Sequence, residues 1–128
     1  MENKNFVTKD QKPDELIAEF MGYTVHDFIS FKTAFKNEKH YFFDTSLRYR
    51  DSWDDLMPVV EKIMQLPNNR YPNGVFENLV DVSITGCSAE ITDAYNGDDF
   101  HVLAMEGSLI ENVYYAVVEF IKWFNKQK

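Results

Sequence analysis

The sequence has 128 residues, of which 45% are hydrophobic and 16% aromatic, and it carries a formal net charge of −8. This length fits one domain over residues 1–128, and this composition excludes a disordered chain. No apolar run reaches the roughly 20 residues of a transmembrane helix. The start of the chain lacks the apolar core of a secretory signal. We therefore expect a cytoplasmic protein that does not bind a membrane.

The negative charge is concentrated in the second half of the chain. Residues 1–70 contain 12 Asp and Glu and 10 Lys and Arg, whereas residues 71–121 contain nine acids and no Lys or Arg. Direct binding of this half to a nucleic-acid backbone is therefore not expected. An acidic surface of this kind either keeps the protein in solution or docks a basic protein partner. The sequence leaves both interpretations open.

The first predicted helix spans residues 13–21. Pro13 suits the first helical turn, because its missing amide would have no partner there. Gly22 follows the apolar stripe and is predicted to end the helix in a left-handed conformation. Residues 1–11 are polar and are expected to be flexible.

The next segment predicts a β-hairpin. Residues 29–35 alternate between apolar and polar positions, which is the period of a strand with one exposed face. Residues 36–39 have the composition of a turn, and residues 40–43 predict the returning strand. Residues 25–28 fit either a loop or the beginning of the first strand.

A second helix is predicted after a polar connection. Either Ser52 or Asp54 can serve as its N-cap, and the helix ends before Pro67. Pro58 removes one helical hydrogen bond if Ser52 is the cap. The side chains predicted to pack this helix on the sheet are Trp53, Leu56, Val60 and Ile63.

Residues 79–85 and 87–92 alternate and predict two adjoining strands with a tight turn near Gly86. The apolar run at residues 100–105 predicts a third strand. Cys87 falls within an alternating apolar pattern, which predicts a buried thiol. Polar loops are predicted at residues 67–74 and 93–99.

The longest periodic segment is the last predicted helix, residues 108–125. Ser108 and Glu111 have the spacing of a capping box. The apolar face is wider than that of an ordinary surface helix, so we expect it to pack on a sheet. Asn112 and Tyr115 are assigned to the narrow polar strip. Truncation of Val117 to alanine is expected to cost about 1 kcal/mol or more.

Few residues are candidates for chemistry. Asp98, Asp99 and His101 could bind a divalent metal, but no established ligand spacing supports such a site. We expect no metal and no cofactor, because the motifs that bind phosphates or dinucleotides are also absent from the sequence. Asp51 lies beside a helix N-terminus, where carboxylates are favoured for structural reasons alone.

Arg48, Tyr49 and Arg50 form the densest basic and aromatic spot of the sequence. Two arginines that flank a tyrosine can stack on a nucleobase or hold a carboxylate. The other interpretation is that both arginines pair with neighbouring acids.

Three segments carry a resemblance to a known family: Phe20-Met21-Gly22, the run from Ser52 to Ile63, and the run from Ala116 to Asn125. Laid in order, they make the chain similar to small phage and prophage proteins with the phage ABA sandwich domain. The resemblance covers residues 14–125 and implies a fold rather than an activity. It implies no catalytic residues.

The predicted fold is α+β, with a mostly antiparallel sheet of four to five strands packed with three helices in an α-β-α sandwich-like arrangement. The predicted function is a non-enzymatic interaction module of phage or mobile-element origin, whose acidic second half either meets a basic protein or mimics nucleic acid. The alternative is a small enzyme that uses Asp98, Asp99 and Asp51. Assembly into a homo-oligomer is left open. The candidate interaction surface comprises Asp93, Asp98, Asp99, Glu106, Arg48 and Arg50.

Overall fold

The computed structural model of the chain describes residues 12–28, 31–43, 45–66, 80–93 and 100–126, with the side chain of Asp93 left out. These residues form three helices and six antiparallel strands in two three-stranded sheets, which confirms an α+β fold. The predictions for residues 1–11 and for the loop at 67–74 lie outside the described residues.

The chain divides into two compact units, residues 1–48 and 49–128, because most contacts between Cα atoms fall within one unit or the other. The prediction of a single domain stays a prediction. Within the described residues, no helix is long and apolar enough to span a membrane. The cytoplasmic location also stays a prediction.

The first unit contains helix α1 (Pro13–Phe20) and strands β1 (Thr24–Asp27), β2 (Lys32–Lys36) and β3 (Lys39–Phe42). Helix α1 ends as predicted. Gly22 has a φ of 97°, and the amide of Tyr23 donates to the carbonyl of Ala18 at 3.0 Å. A glycine adopts this left-handed conformation without the steric penalty of a Cβ atom.

The hairpin of β2 and β3 is confirmed. Asn37 and Glu38 form its turn, with φ values of 56° and 66°, as in the tight turns whose twist matches that of the strands. The segment before β2 is a separate strand, β1, which pairs antiparallel with β2. The amide of Phe28 donates to the carbonyl of Phe31 at 2.8 Å and closes the connection between β1 and β2.

One face of the first sheet packs against α1. Ala34 lies on this face and is fully buried, as are Ile17 and Ala18 of the helix. Two lysines of β2 on the same face as Ala34 bond to the α1 segment: Lys32 Nζ to Glu15 at 3.4 Å and Lys36 Nζ to the carbonyl of Met21 at 3.1 Å. The pairing register places an aromatic set on the opposite face: His26, Phe35, His40 and Phe42.

The second unit contains helix α2 (Trp53–Met64), strands β4 (Val80–Ile84), β5 (Ala89–Asp93) and β6 (His101–Ala104), and helix α3 (Leu109–Lys126). The strands form an antiparallel sheet in the order β4-β5-β6. Helix α3 packs on β5 and β6, and α2 packs on β4 and α3. The predicted strand at residues 100–105 is confirmed as β6.

The side chain of Ser52 accepts the amide of Asp55 at 3.4 Å, so Ser52 rather than Asp54 is the N-cap of α2. The helix continues through the exposed Pro58. Trp53 was predicted to pack on the sheet, but it is 39% exposed. It is the first residue of the helix, and the fully buried Val59 contributes to the packed face instead.

The six described strands form two sheets rather than one sheet of four to five strands. The physical reason is that every strand pairs with its neighbour in the chain through a short connection, and a long segment that carries α2 separates the two sets. Within each set, the hydrogen bonds between strands close only short loops, so little conformational entropy is lost on pairing.

The prediction of a buried Cys87 is wrong, because this thiol is exposed. Strand β4 ends at Ile84, and Cys87 lies in the turn that follows. The hydroxyl of Thr85 accepts the amide of Ser88 at 3.1 Å and stabilises the turn. Cys87 therefore belongs to neither strand, and the alternation of buried and exposed side chains does not extend to it.

Candidate functional site

A groove of about 420 Å³ in the second unit lies between strand β6 and the beginning of helix α3. Three large apolar side chains line it and are exposed: Leu103 by 50%, Met105 by 57% and Tyr115 by 53%. Two carboxylates, of Glu106 and Glu111, line the same groove. Exposed apolar side chains that share a concave surface with charged groups are typical of an interaction site.

The pleat of β6 explains why Leu103 reaches the surface. Its neighbour Ala104 is 7% exposed, and the register pairs it with the buried Ala89 on the face that packs against α3. Successive side chains of a strand point to opposite faces. Leu103 is therefore on the outer face of the sheet, beside Glu90 of the neighbouring strand.

Asn112 lines the groove, and its side chain forms hydrogen bonds with two neighbouring turns. Its side chain is 3% exposed, although its position in the helix had been assigned to the polar strip. Oδ1 accepts the amide of Gly107 at 3.0 Å, and Nδ2 donates to the carbonyls of Gly107 at 3.1 Å and Cys87 at 3.2 Å. These bonds join α3 to the turn after β6 and to the turn between β4 and β5.

The predicted capping box is confirmed and lies at the rim of the groove. The amide of Ser108 donates to Glu111 Oε1 at 2.8 Å, and the amide of Glu111 donates to Ser108 Oγ at 3.3 Å. The hydrogen bond from the Ser108 amide, with help from the Ser108 hydroxyl and the charge of Arg50, holds the pKa of Glu111 below its ordinary value of 4.5. Glu111 is therefore negatively charged at neutral pH.

The lowered pKa of Glu111 predicts a pH-dependent stability. The unfolded chain takes up a proton near pH 4.5, whereas the folded chain does so only at lower pH. The stability contributed by Glu111 is complete above that value and is lost as the pH falls through the lowered pKa. We expect Glu111→Gln to melt below the wild type at neutral pH and the difference to shrink on acidification.

Thermal melts from about pH 3 to 7 check this expectation. Gly107→Ala is a matched variant, because its added Cβ would lie 2.7 Å from Glu111 Oε1 and 3.2 Å from Glu111 Cβ. It should displace the carboxylate and reproduce the effect. Wild-type and Glu111→Gln melting curves that stay equally far apart at every pH would contradict the expectation.

Arg50 lies against Tyr114 of helix α3. Its guanidinium donates to the Tyr114 hydroxyl at 3.3 Å, and its central carbon is 5.1 Å from the centre of the ring. Tyr49 is only 3% exposed, so its ring is not available to stack on a nucleobase. Arg48 is exposed and belongs to the first unit.

The remaining predicted site residues are not brought together by the described structure. Glu106 lines the groove, and Asp51 is exposed just before α2. Asp93 ends β5, and only its backbone is described. Asp98 and Asp99 lie outside the described residues, as does the predicted loop that carries them.

His101 does not gather metal ligands from the described part of the chain. Its Nε2 lies 2.6 Å from Oε2 of Glu90 on the outer face of the second sheet. No group of three His, Cys, Asp or Glu among the described residues has the geometry of a metal site. Asp98 and Asp99, the other residues of the metal hypothesis, lie outside the described residues.

The sequence did not identify the three exposed apolar residues of the groove, Leu103, Met105 and Tyr115, as site residues. Leu103 and Met105 belong to an apolar run that was interpreted simply as a strand, and Tyr115 was placed on the polar strip of the last helix. A signal was present, because that run has apolar residues on both faces of a strand and only one of those faces can pack on α3.

A second concave surface lies in the first unit. This cleft has a volume of about 720 Å³ and is formed where the connection of β1 and β2 and the end of β3 meet the beginning of α1. Phe28, Phe31 and Phe42 line it and are 43%, 47% and 49% exposed. Among the described residues, five charged side chains also line it: Lys12, Asp14, Glu15, Asp27 and Lys32.

Comparison with protein-family models, with curated proteins and with solved structures finds no match. The groove and the cleft therefore have to be interpreted from their own chemistry. The groove combines carboxylates with exposed apolar side chains, whereas the cleft combines stacked aromatic rings with charges of both signs.

Proposed function

We propose that the protein is a non-enzymatic interaction module and that its groove between β6 and α3 binds a basic segment of a partner protein. One observation carries the proposal: Leu103, Met105 and Tyr115 are each about half exposed and share one groove with Glu106 and Glu111. The apolar side chains supply binding energy through burial, and the carboxylates select a partner of positive charge.

The charge distribution supports a basic partner. Residues 71–121 contain no Lys or Arg, so the segment that lines the groove contributes no cation of its own. Arg50 is close enough to lower the pKa of Glu111. Its guanidinium bonds to Tyr114, and Glu106 adds a second negative charge to the groove. A lysine or arginine of a partner would therefore meet a net negative rim.

The position of β6 supports an extended partner segment. Among the described strands, β6 lies at one edge of its sheet, and its last two residues, Leu103 and Ala104, line the groove. A peptide that adds to a sheet edge gains backbone hydrogen bonds, and its alternate side chains enter the adjacent groove. The proposed ligand is an extended segment in which Lys or Arg alternates with aliphatic residues.

The resemblance to the phage ABA sandwich domain and an origin in a mobile element are part of this proposal. Helix α1 ends at Met21-Gly22, α2 carries Trp53, and α3 is amphipathic, as the resemblance expects. The alternative, a small enzyme, stays a prediction, because two of its three carboxylates, Asp98 and Asp99, lie outside the described residues.

A selection from a random peptide display library against the intact protein tests the proposed function. We expect the enriched peptides to carry Lys or Arg next to aliphatic residues and to bind more weakly as salt rises, because salt screens exposed charges. Glu106→Lys should weaken binding roughly tenfold, since it puts like charges opposite each other. Leu103→Ser should also weaken binding.

Asp81→Lys is the matched control, because Asp81 is an exposed acid on β4 of the same sheet but does not line the groove. Its effect on binding should be small. Selected peptides without positive charge, or equal effects of Glu106→Lys and Asp81→Lys, would overturn the proposal. Thermal melts of each variant separate loss of binding from loss of fold.

A further inference from the structure

A histidine lies beside the groove between β6 and α3. The sequence of the second unit contains one histidine, His101, which is the first residue of β6 and lies two residues before Leu103 of the groove. Side chains two residues apart in a strand are on the same face, about 7 Å from each other. A cation bound next to Leu103 would therefore be close enough to His101 to interact with its charge.

The partner of His101 is a carboxylate that also neighbours Leu103. His101 Nε2 lies 2.6 Å from Glu90 Oε2, and the register of β5 and β6 places Glu90 directly opposite Leu103. Both charged side chains are well exposed, His101 by 51% and Glu90 by 42%. Among the described residues, the one further charged side chain on this outer face of the sheet is Asp81 of β4, two strands away from β6.

The charge beside Leu103 changes with pH. Histidine is the side chain whose ordinary titration falls between about pH 5 and 8, whereas carboxylates ordinarily titrate near pH 4. A neutral His101 can share a hydrogen bond with Glu90 but leaves its negative charge in place. A protonated His101 cancels that charge. Acidification in this range therefore adds one positive charge at this place, whatever the other side chains around the groove contribute.

We propose that His101 regulates the groove by pH, so that a basic segment binds more weakly as the pH falls through the titration of this histidine. The inference rests on the proposed function, because it concerns the same ligand. Protonation puts an imidazolium next to the cations of the ligand and removes the attraction of Glu90. For exposed charges about 7 Å apart and partly screened by salt, the loss of affinity should be about two- to fivefold. A mildly acidic medium would thus promote release of the partner.

NMR titration of the intact protein with an acetylated and amidated hexapeptide of alternating lysine and valine tests the inference at about pH 5.5 and 7.5. This peptide has the composition of the proposed ligand and no group that titrates in that range. The wild type should bind it about two- to fivefold more weakly at the lower pH. His101→Gln, without a titrating group, should bind at both pH values as the wild type does at the higher one. His101→Lys, with a permanent charge, should bind weakly at both.

His26→Gln is the matched control, because His26 belongs to the first unit, and this variant should keep the pH dependence of the wild type. Thermal melts at both pH values confirm that each variant is folded. Equal wild-type affinity at the two pH values, while Glu106→Lys still weakens binding, would overturn this inference and leave the proposed function standing. A pH dependence that persists in His101→Gln would do the same. If neither this peptide nor any selected basic peptide binds at either pH, the proposed function fails together with the inference.

Discussion

Replacement of Phe120 by alanine should lower the free energy of unfolding of the second unit by about 3–5 kcal/mol. Phe120 lies in the middle of α3 and is the largest fully buried side chain of the described residues. Its ring contacts those of Phe100, Trp123 and Phe124, with ring centres 5.6, 5.7 and 5.8 Å apart. The truncation removes apolar burial and leaves a cavity that three rigid rings cannot easily fill.

Urea denaturation of the full chain measures this loss. Because a whole domain is stable by only about 5–15 kcal/mol, Phe120→Leu provides a milder variant whose transition stays measurable. Val117→Ala, at a position that is also fully buried, should lose about 1–3 kcal/mol. Tyr115→Ala, 53% exposed on the same helix, should change stability by less than about 0.5 kcal/mol.

The three variants should differ in how much unfolding free energy they lose. Phe120→Ala should be the most destabilising, Val117→Ala intermediate and Tyr115→Ala almost neutral. A loss below about 1 kcal/mol for Phe120→Ala would show that this ring is not in the core, since truncation of buried phenylalanines costs several times more. Tyr115→Ala should at the same time weaken peptide binding, because Tyr115 lines the groove.

Asn112→Asp should destabilise the protein by about 2–4 kcal/mol at neutral pH, because it leaves buried partners unsatisfied and buries a charge. The carboxylate could still accept the amide of Gly107, but it could not donate to the carbonyls of Gly107 and Cys87. Two acceptors would then face a negative charge. Asn112→Ala, which only removes the hydrogen bonds, should cost about 1–3 kcal/mol.

The aspartate variant should also depend on pH. Burial disfavours its charged form, so its pKa would be raised in the folded state, and the deficit should shrink as the pH falls through that raised pKa and be smallest below about pH 4. Asn125→Ala is the matched control, since Asn125 is exposed near the end of the same helix. A deficit of Asn112→Asp that equals that of Asn125→Ala, or that grows on acidification, would contradict the assigned hydrogen bonds.

Asn112 links stability to function in the second unit. It lines the groove and also bonds to Gly107 and Cys87, which belong to two different turns. Loss of these bonds should loosen the turn that carries Glu106. We therefore expect Asn112→Ala to weaken peptide binding even where the protein remains folded, whereas Asn125→Ala should not.

Local features of the fold were predictable because neighbouring residues decide them. Gly22 ends α1, and Ser108 and Glu111 form a capping box, as expected from their spacing, and Ser52, one of the two predicted N-caps, caps α2. In each case the partners lie within a few residues, so the free energy of the contact does not depend on the rest of the fold. The same holds for the turn at Asn37 and Glu38.

The groove was predictable only in part. The absence of Lys and Arg from residues 71–121 predicts an acidic surface, and Glu106, one of the predicted interaction residues, lines the groove. Leu103, Met105 and Tyr115 were not, because an apolar residue in a strand or helix is expected to be buried. Whether it is buried depends on what the other elements cover.

The sequence by itself determined the C-terminal end of α1, the turn between β2 and β3, the N-terminal cap of α3, and the absence of cationic side chains from residues 71–121. Those properties follow from backbone hydrogen bonds over a few residues and from composition. The tertiary structure alone decided that the strands divide into two sheets, that Asn112 is buried and Cys87 exposed, and that three phenylalanines surround a cleft. Each of these depends on contacts between segments distant in the chain, whose free energies no local pattern records.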